Sequence, residues 1–146
     1  YEMLTLGQEA LAPFARADSE GRPVWRLPGS ASAKLPFLSY ASGAYMARLV
    51  EHILKTAPQP PQLNLVYETD MAESLKAMAL EGHGLAFLPA SSVKKDVRAK
   101  RLAPAGEPGA WETTMDVRIV RERPQSARGV KPGAAALWEH LALERT

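Results

Sequence analysis

Residues 63–89, LNLVYETDMAESLKAMALEGHGLAFLP, decide the fold. Leu63 to Glu68 alternates in the manner of a strand. Asp70 followed by Glu73 forms the D-x-x-E arrangement that satisfies free N–H groups at a helix start. From there to Glu81, Leu75, Met78 and Ala79 face inward on a helix. Gly82 fits the left-handed position that ends such a helix, because it has no Cβ to clash there. Gly84 then leads into Leu85 to Leu88, a short buried strand stopped by Pro89. A strand, a helix and a second strand on short joints form one unit of an α/β layered sheet.

The flanks extend the same pattern. Leu35 to Tyr40 (LPFLSY) reads as a buried strand. A helix follows from Ala44 to Thr56, with Met46, Leu49, Val50, Ile53 and Leu54 spaced as one buried face. Ser42 is read as its N-cap, Glu51 and Lys55 as an i, i+4 pair, and Pro58 to Pro61 as its stop. Upstream, Ala10 to Ala17 is expected to be a strand, its proline suited to an edge, before a turn at Ser19 to Pro23 and a loop at Pro28 to Ala33. Downstream the expectations are a helix over Ala90 to Ala99, an edge strand over Arg101 to Pro104 and a loop at Gly106 to Gly109. A long strand over Thr113 to Arg121, a loop from Pro124 to Pro132, and a last helix with Leu137, Trp138 and Leu141 on one side complete the chain. No internal repeat is visible.

Composition narrows the function. A length of 146 residues suits one domain, or a small domain plus part of another. With no Cys, disulfides, thiolate metal sites and cysteine nucleophiles are excluded, which fits a cytoplasmic protein. No apolar run approaches the roughly 20 residues that cross a bilayer, so no membrane partner is expected. The formal charge of 18 − 16 = +2 is too small to imply a nucleic-acid-binding surface. Lys94, Lys95, Arg98, Lys100 and Arg101 are read as the solvated face of a short helix. Tyr1 to Leu6 runs straight into extended sequence, and the start is read as lying inside a longer protein.

In open α/β sheets ligands bind at the carboxyl ends of the strands, where helix starts offer N–H groups and partial positive charge. Three transitions qualify here: Tyr40 to Ala44, Glu68 to Ala72 and Pro89 to Val93. Tyr40, Ser42, Asp70 and Ser91 are the candidate effector-binding residues, with Ser92 adding a hydroxyl. The same serines could simply cap helices, and Tyr40 could simply be core. Catalytic signals are weak. His52, His83 and His140 are scattered, Ser91-Ser92 lacks a G-x-S-x-G elbow, and Gly82-x-Gly84 lacks the third glycine of a dinucleotide fingerprint. No catalytic residue, metal or cofactor is expected.

The stretch DMAESLKAMALEGHGLAFLPASSV resembles a segment of LysR-type transcription regulators, in which a helix ends in Gly-x-Gly before a buried strand and Leu-Pro. PFLSYASGAYMARLV upstream and KRLAPAG downstream resemble that family in the same order, and the likeness covers essentially the whole chain. It implies an α/β fold like that of type II periplasmic binding proteins: mostly one complete lobe, plus part of the second. Residues 1–9 would be a crossover segment from a truncated first lobe, 10–112 the second regulatory lobe, and 113–146 a return crossover and helix of the first lobe. It also implies a small-molecule effector or oxidant as partner, homo-oligomers of the full-length protein, and DNA contact only through a helix-turn-helix domain absent here.

LSYASGAYMARL, TDMAESLKAMALEGHGLAFLP and the Asp18 to Gly21 turn are most similar to the hypochlorite-responsive members activated by methionine oxidation. Met46 and Met71 fall where that group carries two oxidation-sensitive methionines. As redox sensors they should be partly buried, since a thioether must be reached by oxidant and its sulfoxide must disturb packing. As ordinary residues they would be flexible core filler. The expectation is therefore an effector- or oxidant-sensing domain without catalysis. The alternatives are a polar-effector sensor with no redox role, an enzyme fragment on the same two-lobed fold, and a solute-binding lobe.

Overall fold

The computed structural model describes residues 2–121 and 131–144. The elements in order are strand β1 (Glu2–Arg16), strand β2 (Leu35–Tyr40), helix α1 (Tyr45–Thr56), strand β3 (Leu63–Thr69) and helix α2 (Ala72–Leu80). After them come strand β4 (Leu85–Pro89), helix α3 (Ala90–Arg98), strand β5 (Leu102–Pro104), strand β6 (Thr113–Arg121) and helix α4 (Pro132–Glu144). The expected strands and helices are all present, although β1, whose proline suited an edge, is paired on both sides, by β4 and β5. β1 begins at Glu2, eight residues before the expected strand. Most of the loop expected over Pro124 to Pro132 lies outside the described residues.

The chain divides into two compact units, one of which is Ala10–Thr113. Its sheet has the order β3-β2-β4-β1-β5. β2 pairs in parallel with both β3 and β4, whereas β1 is antiparallel to β4 and β5. The central strands hold the core. Leu11, Leu38, Leu85, Phe87 and Leu88 are fully buried, and each such side chain contributes roughly 1.5–3 kcal/mol by leaving water. Phe37 and Phe87 meet edge to face at 6.2 Å across the β2–β4 seam. Gly84 lets that seam close: a Cβ there would stand 2.8 Å from the Pro36 carbonyl oxygen and 2.9 Å from Leu38 Cγ.

Helix ends follow the sequence at one terminus and depart from it at the other. α2 and α3 both finish in a Schellman turn, with Gly82 (φ 84°) and Lys100 (φ 59°) in the left-handed position. At the starts, neither Ser42 nor Asp70 caps. The N-cap residues are Ala44, Met71 and Pro89, and none of α1, α2 or α3 has a side-chain cap hydrogen bond. Ser42 is two residues too early, because α1 begins at Tyr45. Asp70 precedes the N-cap position of α2, so the Asp70–Glu73 spacing does not form a capping box.

Asp96, in the basic run, is 8% exposed and points into the domain. It accepts a hydrogen bond from Arg101 Nε at 3.1 Å and pairs with Lys76 Nζ at 3.5 Å, joining α2 to the end of α3. Lys76 also donates to the Ser92 carbonyl at 2.9 Å.

The second unit comprises the remaining described residues, 2–9, 114–121 and 131–144. β6 pairs with β1 there. Arg121 donates to Glu2 at 2.7 Å and lies 4.2 Å over the Trp138 ring, fixing α4 to the ribbon. Met3, Val117, Val120, Leu137 and Leu143 are exposed apolar side chains of this unit. Leu137 therefore does not share the partly covered state of Trp138 and Leu141 that the sequence suggested.

Candidate functional site

Because β2, β3 and β4 run parallel, their carboxyl ends share one edge of the sheet of the Ala10–Thr113 unit. The chain passes from β2 through α1 to β3 on one side, then through α2 to β4 on the other. Parallel crossovers are right-handed almost without exception, so α1 and α2 lie on opposite faces. The connections diverge between β2 and β4, the kind of switch point at which open α/β sheets leave a crevice for ligands. Ser42 follows β2 and Ser91 follows β4, so these two residues flank it. Asp70 follows β3, one strand further out.

The four candidate side chains differ in state. Ser42 and Asp70 are exposed and have no hydrogen-bond partner among the described residues. Ser91 is exposed at the second position of α3, while Ser92 donates to the Pro89 carbonyl at 2.8 Å. Tyr40 is 2% exposed and its hydroxyl donates to the Phe87 carbonyl at 2.8 Å. That proton ties β2 to β4 and is not offered to a ligand. Burial pushes the phenol up to about 12. The starts of α1, α2 and α3 lie at the same edge, and none of them has a side-chain cap hydrogen bond.

A cavity of about 260 Å³ opens between α1 and the β2–β3 pair, with Tyr40 and Ser42 in its lining. Asp70 and Ser91 do not line it. Arg48, Glu51 and Glu68 bring charges to its wall, and sequence reasoning passed over all three as site residues. Glu68 pairs in register with Ser39, so its position at the end of β3 was the available signal. Met46 is half-buried in the first turn of α1. Met71 is 59% exposed, which corrects the expectation of partial burial: as the N-cap residue of α2 it gives its carbonyl to the helix and leaves its thioether in solvent.

Among the described residues no group of three or more His, Asp or Glu side chains could hold a metal ion. No described helix is long and apolar enough to cross a membrane. His83 contacts Glu81 at 3.2 Å beyond the end of α2, away from the strand ends of the candidate site.

The model of the LysR substrate binding domain matches residues 1–144. The HTH-type transcriptional regulator YjiE of Escherichia coli K12 is 28% identical over 102 residues, 70% of this chain and 32% of its own length. The chain thus spans about a third of that relative. The apo regulatory domain of HypT from Salmonella typhimurium superposes with a TM-score of 0.83 at 21% identity, covering 99% of this chain and 65% of that one. DarR of Vibrio fischeri, solved in complex with DNA, superposes with a TM-score of 0.82 at 24% identity, covering 96% and 44%. The architecture is accordingly the periplasmic-binding-protein-like α/β fold of LysR regulatory domains, as the sequence resemblance implied.

Proposed function

The chain belongs to the LysR substrate-binding-domain family, and on that basis we propose that it senses a polar or anionic effector for a cytoplasmic, homo-oligomeric LysR-type transcription regulator. The observation that carries this reading is the β2–β4 switch point: Ser42 follows β2, Ser91 follows β4, and the helices that start there have no side-chain caps. N–H groups without side-chain caps suit a carboxylate or other anion, and exposed hydroxyls orient it. Tyr40 serves this site as a brace, holding β2 to β4. Binding at the edge would favour one member of a two-state equilibrium, which the regulator transmits to a helix-turn-helix domain outside this chain. In this reading residues 10–112 form the second regulatory lobe. The flanking segments belong to the first lobe, whose further residues would cover Met3, Val117 and Val120.

The test is footprinting of the complete polypeptide on genomic DNA, with and without a panel of dicarboxylates, amino acids and inorganic anions. The expected result is sequence-specific protection that changes with a panel member. Specific hydrolysis or group transfer without DNA protection would instead favour an enzyme on the same fold.

A second, finer reading is hypochlorite sensing through Met46 and Met71. It is favoured by the likeness to full-length HypT of Salmonella typhimurium, a hypochlorite-specific LysR-type transcriptional regulator, and by the exposed Met71 thioether just before α2, which oxidant can reach. Replacing both with Ile should abolish an oxidant response and leave effector binding intact. A preserved response would place the sensor elsewhere.

A further inference from the structure

Five basic residues lie within 94–101, and the acid among them, Asp96, faces inward, shared by Lys76 and Arg101. It therefore does not neutralise the outer surface. Lys94, Lys95, Arg98 and Lys100 are exposed and have no ion pair among the described residues. In the adjacent turn the Glu20 carboxylate is paired with the Arg22 guanidinium, while Asp18, which accepts the N–H groups of Glu20 and Arg22, keeps its charge. The outward face of α3 thus carries four cations that no ion pair offsets among the described residues.

Two of these cations sit where folding alone would choose otherwise. α2 and α3 end in the same Schellman turn, with Lys100 N–H on the Val97 carbonyl and Arg101 N–H on the Asp96 carbonyl. α2 has Gly82 in the left-handed position, whereas α3 has Lys100 there at φ 59°, a conformation that costs any residue with a Cβ. Lys94 stands one helical turn before Arg98, a like-charge i, i+4 pair that weakens a helix. Lys95 and Arg98, in the last turn, complement the helix dipole and need no other reason. Stability given up at both remaining positions for positive charge on one surface indicates a polyanionic partner.

We propose that Lys94, Lys95, Arg98 and Lys100 dock on the phosphate backbone of duplex DNA. This rests on the regulator reading: a regulator bound to DNA brings a dense array of phosphates to its sensor domain, which four phosphate contacts hold at low salt without help from another domain. Such a contact positions the domain without reading sequence.

The test is fluorescence anisotropy of the whole 146-residue chain with a mixed-sequence duplex across a salt series. Four phosphate contacts give a log–log salt slope of about −3.5. The quadruple Lys94→Glu, Lys95→Glu, Arg98→Glu, Lys100→Glu variant should bind at least about tenfold more weakly. A control with Arg26→Glu and Lys34→Glu should stay within about twofold of the native chain. Lys100→Gly should raise the melting temperature while weakening duplex binding about two- to threefold and reducing the slope by about one. A purely structural role for Lys100 does not give that combination. Native-like binding by the quadruple variant, no duplex binding at about 50 mM salt, or stronger binding to polyglutamate than to duplex overturns the proposal. Failure of the regulator reading would show instead as loss of operator-specific footprints, which a mixed-sequence duplex does not report.

Discussion

Replacing Gly84 by Ala should destabilise the Ala10–Thr113 unit more than replacing Gly82 does, although Gly82 is the one in a left-handed conformation. At Gly84 the new methyl would stand 2.8 Å from the Pro36 carbonyl oxygen and 2.9 Å from Leu38 Cγ. The first is backbone of the paired strand β2, and the second belongs to a fully buried side chain, so neither can swing away. Overpacking of this kind costs about 1–3 kcal/mol, and rigid neighbours place it near the upper end. At Gly82 the methyl meets the Arg16 side chain at 3.1 Å, whose far end is flexible and exposed. The cost there is the φ of 84°, about 1 kcal/mol after the stiffer unfolded chain offsets part of it. In a domain of about 100 residues each kcal/mol moves the melting temperature by roughly 4–8 °C. Gly84→Ala should therefore lower it by roughly 10–20 °C, and Gly82→Ala by about half as much or less. Urea titrations of both variants, read by Trp fluorescence, check the order. A neutral Gly84→Ala, or a larger loss at Gly82, would refute the argument that close β2–β4 approach sets this seam.

Further outcomes follow from single contacts. Tyr40→Phe strands the Phe87 carbonyl and should cost about 1–2 kcal/mol in urea unfolding without changing its slope. The Tyr40 phenol is raised from its usual value near 10 to about 12, so its neutral form is favoured by the fold. That contribution is complete below about pH 10 and lost as pH rises toward about 12; Tyr40→Phe should flatten this alkaline limb. The Arg22 and Glu20 N–H groups hold the Asp18 carboxyl below the usual range. Its support for the turn should persist above that range and vanish as pH falls through the lowered value, as a carboxyl NMR titration would show. Limited hypochlorite with peptide mass spectrometry should oxidise Met3 and Met71, both more than half exposed, before Met46 and Met78.

The sequence made the elements legible because their signals are summed over many residues. The apolar stripe of α1, the alternation in β6 and the all-apolar β4 each survive an error at one position. Gly82 was legible too, since few residues tolerate its backbone. Caps were not. Whether Ser42 or Asp70 caps depends on one residue's φ and ψ and on where the helix begins, which tertiary packing decides. The inward turn of Asp96 was hidden for a related reason, because a carboxylate in a basic run looks solvated until Lys76, on another element, is brought beside it. At the candidate site, the shared edge of β2, β3 and β4 follows from strand order. The commitment of Tyr40 to Phe87, 47 positions away, has no local signature.

The measurement that bears most directly on the account is hydrogen–deuterium exchange on the complete regulator, with and without the panel compound that alters its DNA footprint. The account predicts added protection in the segments 40–45 and 89–93, where the N–H groups flanking the β2–β4 switch point would bind the effector. A compound that changes DNA occupancy while leaving exchange in both segments unchanged would contradict it.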